Sequence, residues 1–414
     1  MARSRRARLA CAGRMHLAVA DTTASEPLIV RGGRLWLGRG RGFVDGRALV
    51  LRDGLIADVI RDDDDAASGP ETVDVAGAYV LPGLVDAHCH LMVRSAADVD
   101  AEHVAQATIE ALAAAAQLLR AGVTTVRDPG SRTRAIHAVT RALRDGAVPG
   151  PRTFAAGPNI TGSGAPRAWR NTFADGPDAV RASVRAEYRA GADLIKLILS
   201  HAPAWVRWRH VVRFLADDEI AAAGAEARQL GLRVGCHCEG VEAARAAVRA
   251  GIDVIDHGIG LDREVVAEMA ANGTCLVPTL WAFSTETLVD YAGTLDPADA
   301  PDYEERVARV HRASFELALA AGVTVAAGSD PMLPAPDGTR LAREAVLLHD
   351  AGLPADDVLD AVTLNGALAL GRERELGRIA PGCRADLVGY PRDPRRDLAS
   401  LATPAWVRQA GVLA

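Results

Sequence analysis

From about residue 82 to 370 the chain alternates between short apolar or β-branched runs and longer alanine-rich stretches. The runs Gly83–Ala87, Val123–Arg127, Thr153–Ala156, Leu194–Leu199, Arg233–Cys236, Val254–Asp256, Cys275–Thr279 and Thr324–Ala327 read as eight strands. Between them, Ala101–Ala121, Asp178–Ala190, Asp218–Leu230 and Val241–Ala250 carry apolar residues at helical spacing, as amphipathic helices do. The run Leu194-Ile-Lys-Leu-Ile-Leu199 is apolar on both faces, which suits a parallel strand covered by helices on each side. Strands alternating with helices predict a parallel α/β fold. Eight repeats over residues 82–371 match a (β/α)8 TIM barrel, for which about 250 residues is typical.

Two flanking pieces alternate on a shorter period. Leu28–Val30, Ala48–Arg52 and Leu55–Ile60 are separated by Gly and Asp turns, and Gly377–Ile379, Ala385–Tyr390 and Trp406–Leu413 follow the helical region. Neither piece can bury a core alone. Residues 27–81 and 372–414 are therefore expected to pair as one small β-sandwich domain beside the barrel.

Composition narrows the class. Hydrophobic residues make up 49% and charged residues 24% of 414, ordinary for a globular protein. A net charge of −6 offers no electrostatic case for nucleic acid or an anionic membrane as partner. The six cysteines, Cys11, Cys89, Cys236, Cys238, Cys275 and Cys383, show no disulfide-framework spacing, so a reducing, cytoplasmic setting is expected. Residues 1–26 are expected to form a disordered tail. Arg3, Arg5, Arg6, Arg8 and Arg14 precede the first acid, and Ala18-Val19-Ala20 resembles a signal-peptidase site. A twin-arginine export signal is the alternative, but Arg14 and His16 interrupt the apolar stretch it needs. Met15 is an equally good start.

Of the 47 basic residues, 46 are arginine and one, Lys196, is lysine. The two are interchangeable on a solvated surface but not where a neutral amine is required, because a guanidinium does not lose its proton. Lys196 lies within the apolar run described above.

Five places combine such chemistry with predicted strand ends. His88 and His90 close Val85-Asp-Ala-His-Cys-His90; residues i and i+2 of a strand point the same way, so the pair can grip one ion. Lys196 follows, then His237 after Arg233-Val-Gly-Cys, His257 after Val254-Ile-Asp, and Asp330 after Thr324-Val-Ala-Ala-Gly-Ser. These fall on strands 1, 4, 5, 6 and 8, at the rim where barrel active sites sit. One histidine or aspartate alone would be unremarkable; the set in register points to a metal centre. Cys236 and Cys238 would face away from His237 and serve as packing residues.

The chain resembles the amidohydrolase superfamily, in its prolidase-like, imidazolonepropionase-related branch. The segments that carry the resemblance include Leu81-Pro-Gly-Leu-Val-Asp-Ala-His-Cys-His90, Ala121-Gly-Val-Thr-Thr-Val-Arg-Asp128, Ala192-Asp-Leu-Ile-Lys196, Ile255-Asp-His-Gly258, Gly328-Ser-Asp330 and Gly377-Arg-Ile-Ala-Pro-Gly-Cys-Arg-Ala-Asp-Leu387. The resemblance implies two divalent ions, normally zinc, bridged by a CO2-derived carbamate on Lys196. His88, His90 and Asp330 would hold the first ion, and His237 and His257 the second. It further implies hydrolysis of a small-molecule amide by a hydroxide shared between the ions, with Asp330 moving the proton, and by family habit a homo-oligomer.

The specificity loops depart from the branch. After strand 3 the chain reads Thr161-Gly-Ser-Gly-Ala-Pro166 where relatives carry Gly-Gly-His, and after the lysine strand Ser200-His201-Ala-Pro. His201 is a candidate replacement near the substrate carbonyl. Trp205-Val-Arg207-Trp208 is unusual in a chain with 4% aromatics and is a candidate pocket wall, since Arg suits carboxylate capture. An Xaa-Pro dipeptidase-like specificity is thereby put in question. The expected activity is cleavage of a dipeptide, N-acyl amino acid or related carboxamide. A deaminase or cyclic-amide hydrolase is the alternative, and a non-catalytic homologue ranks below both because all six ligands are present.

Overall fold

A computed structural model describes residues 27–64, 71–92, 101–165, 171–201, 211–284, 287, 300–331 and 337–414. The N-terminal strands are β1 (Leu28–Trp36), β2 (Phe43–Arg52), β3 (Leu55–Arg61), β4 (Glu71–Asp74) and β5 (Tyr79–Pro82). The central region contributes β6 (Leu84–Asp86), β7 (Val123–Asp128), β8 (Arg152–Ala155), β9 (Asn159–Thr161), β10 (Asn171–Phe173), β11 (Leu194–Ile198), β12 (Ser200–His201), β13 (Val212–Arg213), β14 (Arg233–Glu239), β15 (Val254–Ile259) and β16 (Cys275–Val277). The last three are β17 (Leu387–Tyr390), β18 (Trp406–Gln409) and β19 (Val412–Leu413).

Helices Ala101–Arg120, Pro177–Ala190, Asp217–Gln229 and Val241–Arg249 stand where the apolar spacing placed them. Apart from the antiparallel pair β12-β13, the central strands form two parallel sheets, β6-β7-β8 and β10-β9-β11-β14-β15-β16. Asp193 N donates to Ala155 O at 2.9 Å, linking the start of β11 to β8. On the far side Leu276 pairs with Val325 as an isolated parallel bridge, and Ala87 N donates to Ala327 O at 2.9 Å. This is an α/β fold of the kind typical of TIM barrels. Of the eight strands expected, the last is reduced to that bridge. It is too short to build a ladder, because the backbone turns at once into Gly328-Ser-Asp330.

The two ends of the chain do pair. β5 runs antiparallel to β17, with Tyr79 opposite Tyr390, and Ile56 N donates to Cys383 O at 2.8 Å. The expected two-sheet sandwich is replaced by one continuous eight-stranded sheet, ordered β19-β18-β17-β5-β1-β2-β3 with β4 beside β1. The cause lies in β1. Its first half pairs with β4 and its second half with β5, and the register slips at Gly33. A bulged strand can bend and serve two partners on one edge. Val30, Leu35, Leu49, Ile56, Val80 and Leu387 are buried as the core of this sheet, separate from the main cluster around the parallel strands. Arg152 Nη1 meets Asp386 Oδ2 at 2.6 Å and ties the two regions together.

No described helix is long and apolar enough to cross a membrane. Cys89, Cys236, Cys238, Cys275 and Cys383 are free and buried, which agrees with the reading of Cys236 and Cys238 as packing residues.

Candidate metal centre

β6 ends at Asp86, so His88 and His90 lie beyond the strand that was expected to align them. They converge through hydrogen bonds instead. Asp86 Oδ1 accepts from His88 N at 3.2 Å and from Ser329 N at 3.0 Å. Cys89 N donates to Arg127 O at 3.0 Å, and Leu91 N to Asp128 Oδ2 at 3.0 Å. Burial pushes the Asp86 carboxyl up to about 6, partly opposed by the Ser329 hydrogen bonds.

Asp330 reaches the pair from the opposite end of the chain. Its N donates to His88 O at 2.7 Å, and its φ of 38° turns the chain sharply. Asp330 Oδ1 then stands 3.5 Å from His88 Nε2 and 3.4 Å from His90 Nε2. Ligand atoms of His88, His90 and Asp330 all lie within 4.8 Å of one another, and all three residues are buried. Two imidazoles and a carboxylate at that separation suit a zinc-like ion. His90 Nδ1 lies 2.7 Å from Gly130 O, which fixes Nδ1 as the donor and leaves Nε2 free to ligate.

His257 and His237 complete the cluster. The His237 and His257 rings are 4.4 Å apart between centroids, and His257 and His88 5.2 Å. His257 Nδ1 is 2.7 Å from Thr279 Oγ1 and 3.9 Å from Asp330 Oδ2. His237 Nε2 is 3.0 Å from Glu239 Oε1. Contrary to expectation, β14 and β15 run two residues past these histidines; His237 and His257 therefore sit inside the rim rather than on its last residue. His257, Thr279 and Asp330 all adopt left-handed φ, at 70°, 53° and 38°. Such conformations each cost on the order of 1–3 kcal/mol and persist where the surroundings over-determine them.

Lys196 lies beneath the histidines. Its Nζ contacts Asp256 Oδ2, and Asp256 Oδ1 is 3.0 Å from His88 Nδ1. Arg127 grips the same carboxylate, Nη1 to Oδ1 at 2.9 Å and Nη2 to Oδ2 at 3.3 Å. Burial alone would raise the Asp256 carboxyl, but Arg127, Lys196 and His88 outweigh it and hold it well below the usual range. Burial lowers the Lys196 amine; Asp256 opposes this and Arg127 adds to it. Burial brings His88 down to about 4. His257 falls well below the usual imidazole value through burial and then through His237 and His88. Both imidazoles are neutral near pH 7, the form that binds metal.

His88, His90, His237, His257 and Asp330 thus lie towards one end of the parallel strands, while Lys196, expected at a strand end, sits mid-strand in β11 and is joined to His88 through Asp256. The backbone of His201 pairs with Val212 in a two-residue ribbon. Trp205, Arg207 and Trp208 lie outside the described residues. Asp256, Arg127, Thr279 and Glu239 did not stand out as separate residues in the sequence. The available signal was a charged residue inside a buried strand, as in Val-Thr-Thr-Val-Arg-Asp128, every residue of which is buried. Glu239, the partner of His237, also lines a cavity of about 380 Å³ walled by Val211, Val241, Ile259 and Val310, with Arg213 and Glu242 among its lining.

A family model for the amidohydrolase family matches residues 79–410. An uncharacterized protein of Mycobacterium tuberculosis is 31% identical over 386 residues, covering 89% of this chain and 93% of its own. Ochratoxinase of Aspergillus niger is 24% identical, covering 95% and 87%. Imidazolonepropionase of Stenotrophomonas maltophilia is 27% identical, covering 87% and 89%. Among solved structures, an Xaa-Pro dipeptidase with bound methionine in its active site superimposes with a TM-score of 0.83 at 26% identity, covering 94% of this chain and 99% of that one.

Proposed function

The chain belongs to the amidohydrolase family, in its prolidase-like branch, and on that premise we propose a two-metal enzyme that hydrolyses the amide bond of a dipeptide, an N-acyl amino acid or a related carboxamide. One observation carries the reading. His88, His90, His257 and Asp330 converge from three separate parts of the chain, above a buried lysine tied to His88 through one carboxylate. The parallel strands and the 324–327 bridge are read as one closed (β/α)8 barrel, with residues 27–81 and 372–414 as the small β domain.

His88, His90 and Asp330 would hold one ion, most simply zinc. His237 and His257 would hold the other, with a carbamate on Lys196 between them. When bound, such ions supply an acidified water and a Lewis acid for the substrate carbonyl. In this reading Asp330 would move a proton. Its carboxylate is within 3.5 Å of both histidines of the first site, and in this reading it takes a proton from water and returns it to the leaving amine. The valine- and isoleucine-walled cavity would exclude water and take an apolar side chain. His201, Trp205, Arg207 and Trp208 are proposed as the opposite, variable wall. The dipeptidase neighbour carries methionine, which supports an amino-acid-sized substrate portion here.

The test is a pooled library of dipeptides, N-acyl amino acids and aminated heterocycles, incubated with protein loaded with zinc and bicarbonate and followed by mass spectrometry. Cleavage into two fragments with the gain of one water is the expected outcome. Replacement of an amino group by oxygen, with release of ammonia, would overturn it in favour of a deaminase.

A further inference from the structure

Arg127 is 1% exposed and extends across the interior of the parallel strands beneath the metal centre. Its Nη1 donates to Asp256 Oδ1 at 2.9 Å and to Ala87 O, one residue before His88, at 2.8 Å. Nη2 reaches Asp256 Oδ2 at 3.3 Å. A guanidinium is costly to bury unless it is paired and hydrogen-bonded in good geometry, and here the two-pronged fit to one carboxylate provides that.

The chain also makes room for it. A Cβ on Gly235 would stand 2.0 Å from Arg127 Nη2 and 3.5 Å from Asp256 Oδ2. Gly235 is absent from the residues with positive φ, so its backbone does not demand glycine; the space does. In the ladder Gly235 is the register partner of Lys196. A missing side chain on β14 thus lets a cation from β7 reach a carboxylate on β15 beside the lysine of β11.

We propose that Arg127 is a positioning residue for Lys196, acting through Asp256. Held by both oxygens, the Asp256 carboxylate cannot rotate, and it presents Oδ2 to Lys196 Nζ and Oδ1 to His88 Nδ1. Carbamylation joins neutral Nζ to the carbon of CO2 and releases one proton, giving –NH–COO⁻. One N–H remains on Nζ. That N–H donates to Asp256 Oδ2 and so sets the plane in which the two carbamate oxygens leave the lysine. This inference rests on the carbamate reading above and adds the residues that orient it.

The experiment measures carbamate formation and zinc uptake rather than turnover. Full-length protein stripped of zinc and CO2 is titrated with [13C]bicarbonate at saturating zinc. The carbamate resonance and the zinc bound per chain are followed. Two variants disturb the support without touching a ligand. Arg127→Lys keeps the cation but loses the fork, and Gly235→Ala keeps every charge but displaces Nη2 of the guanidinium.

In both variants the bicarbonate concentration for half-maximal carbamate should rise at least tenfold, with zinc per chain recovering at high bicarbonate. An Arg127–Asp256 pair that merely held strands together would lower the melting temperature and leave that midpoint unchanged. Midpoints within twofold of wild type in the folded variants overturn the proposal. Should Arg127→Lys fail to fold, Gly235→Ala alone decides it. A wild-type protein without any carbamate resonance would instead overturn the reading of the centre on which this inference stands.

Discussion

Thr279 Oγ1 lies 2.7 Å from His257 Nδ1, and both residues hold left-handed backbone. The contact orients the imidazole so that its other nitrogen, Nε2, is the one left to ligate. Loss of such an outer partner costs roughly 10–100-fold in metal affinity. Thr279→Val should therefore weaken binding of the second zinc by about that factor, whereas Thr279→Ser, which keeps the hydroxyl, should not. Zinc titration against a competing chelator distinguishes the two; equal affinities would remove Thr279 from the centre.

The turn that carries Thr279 is held by Glu344, which accepts from Leu280 N at 3.0 Å and Trp281 N at 2.8 Å. Burial pushes its carboxyl up to about 8, against those hydrogen bonds. The folded protein therefore retains a proton that the unfolded chain releases near the ordinary glutamate value of about 4.3. The resulting stability is complete below that pH and is lost as pH rises towards 8, by at most ~1.4 kcal/mol per pH unit. Glu344→Gln should remove this slope. The buried histidines, His88, His257 and His311, titrate alike in both proteins and raise stability with pH below about 6.5, so the readout is the difference. Between pH 5 and 8 the melting temperature of metal-free wild type should fall relative to that of the variant, and a constant difference would remove Glu344 from this role.

Much of this arrangement was legible in the sequence. Strand positions followed from apolar runs such as Leu194–Leu199, because a strand buried on both faces leaves an unbroken signature. The ligands followed from histidines and an aspartate placed where such runs end. What could not be read was support across strands. Arg127 and Asp256 are 129 residues apart, and neither has a local pattern that names its partner. The alignment of His88 and His90 was predicted for the wrong reason: backbone hydrogen bonds beyond the strand bring them together, not strand alternation. The single terminal sheet depends on a bulge at Gly33, which has no distinctive spacing.

Asp386 links the terminal sheet to the parallel strands. It receives Arg152 Nη1 at 2.6 Å and Ala410 N at 2.8 Å, and its carbonyl accepts from Gly83 N at 2.8 Å. Asp386→Ala leaves a largely buried guanidinium and a backbone N–H without their partner, a loss of about 1–3 kcal/mol each at most. The melting temperature should fall while zinc per chain stays at the wild-type value. A parallel fall in zinc content would show that the terminal sheet helps to form the centre.

Removal of the first ion should abolish activity. His90→Ala deletes one of three ligands within 4.8 Å. It should lower zinc affinity by more than the roughly 100-fold that loss of an outer-shell partner costs. Chelation of wild type should inactivate it reversibly, with zinc and bicarbonate together restoring turnover. Activity that survives exhaustive chelation would contradict a metal-dependent reaction.

Lys196→Arg tests the central claim most directly, because it keeps the charge and removes the amine that could accept CO2. Zinc per chain and hydrolysis of the best library substrate are measured side by side with wild type, both loaded in bicarbonate. The account predicts two ions and amide cleavage in wild type, and fewer than two ions with turnover lost in the variant. A Lys196→Arg protein that binds two ions and retains substantial activity would contradict it.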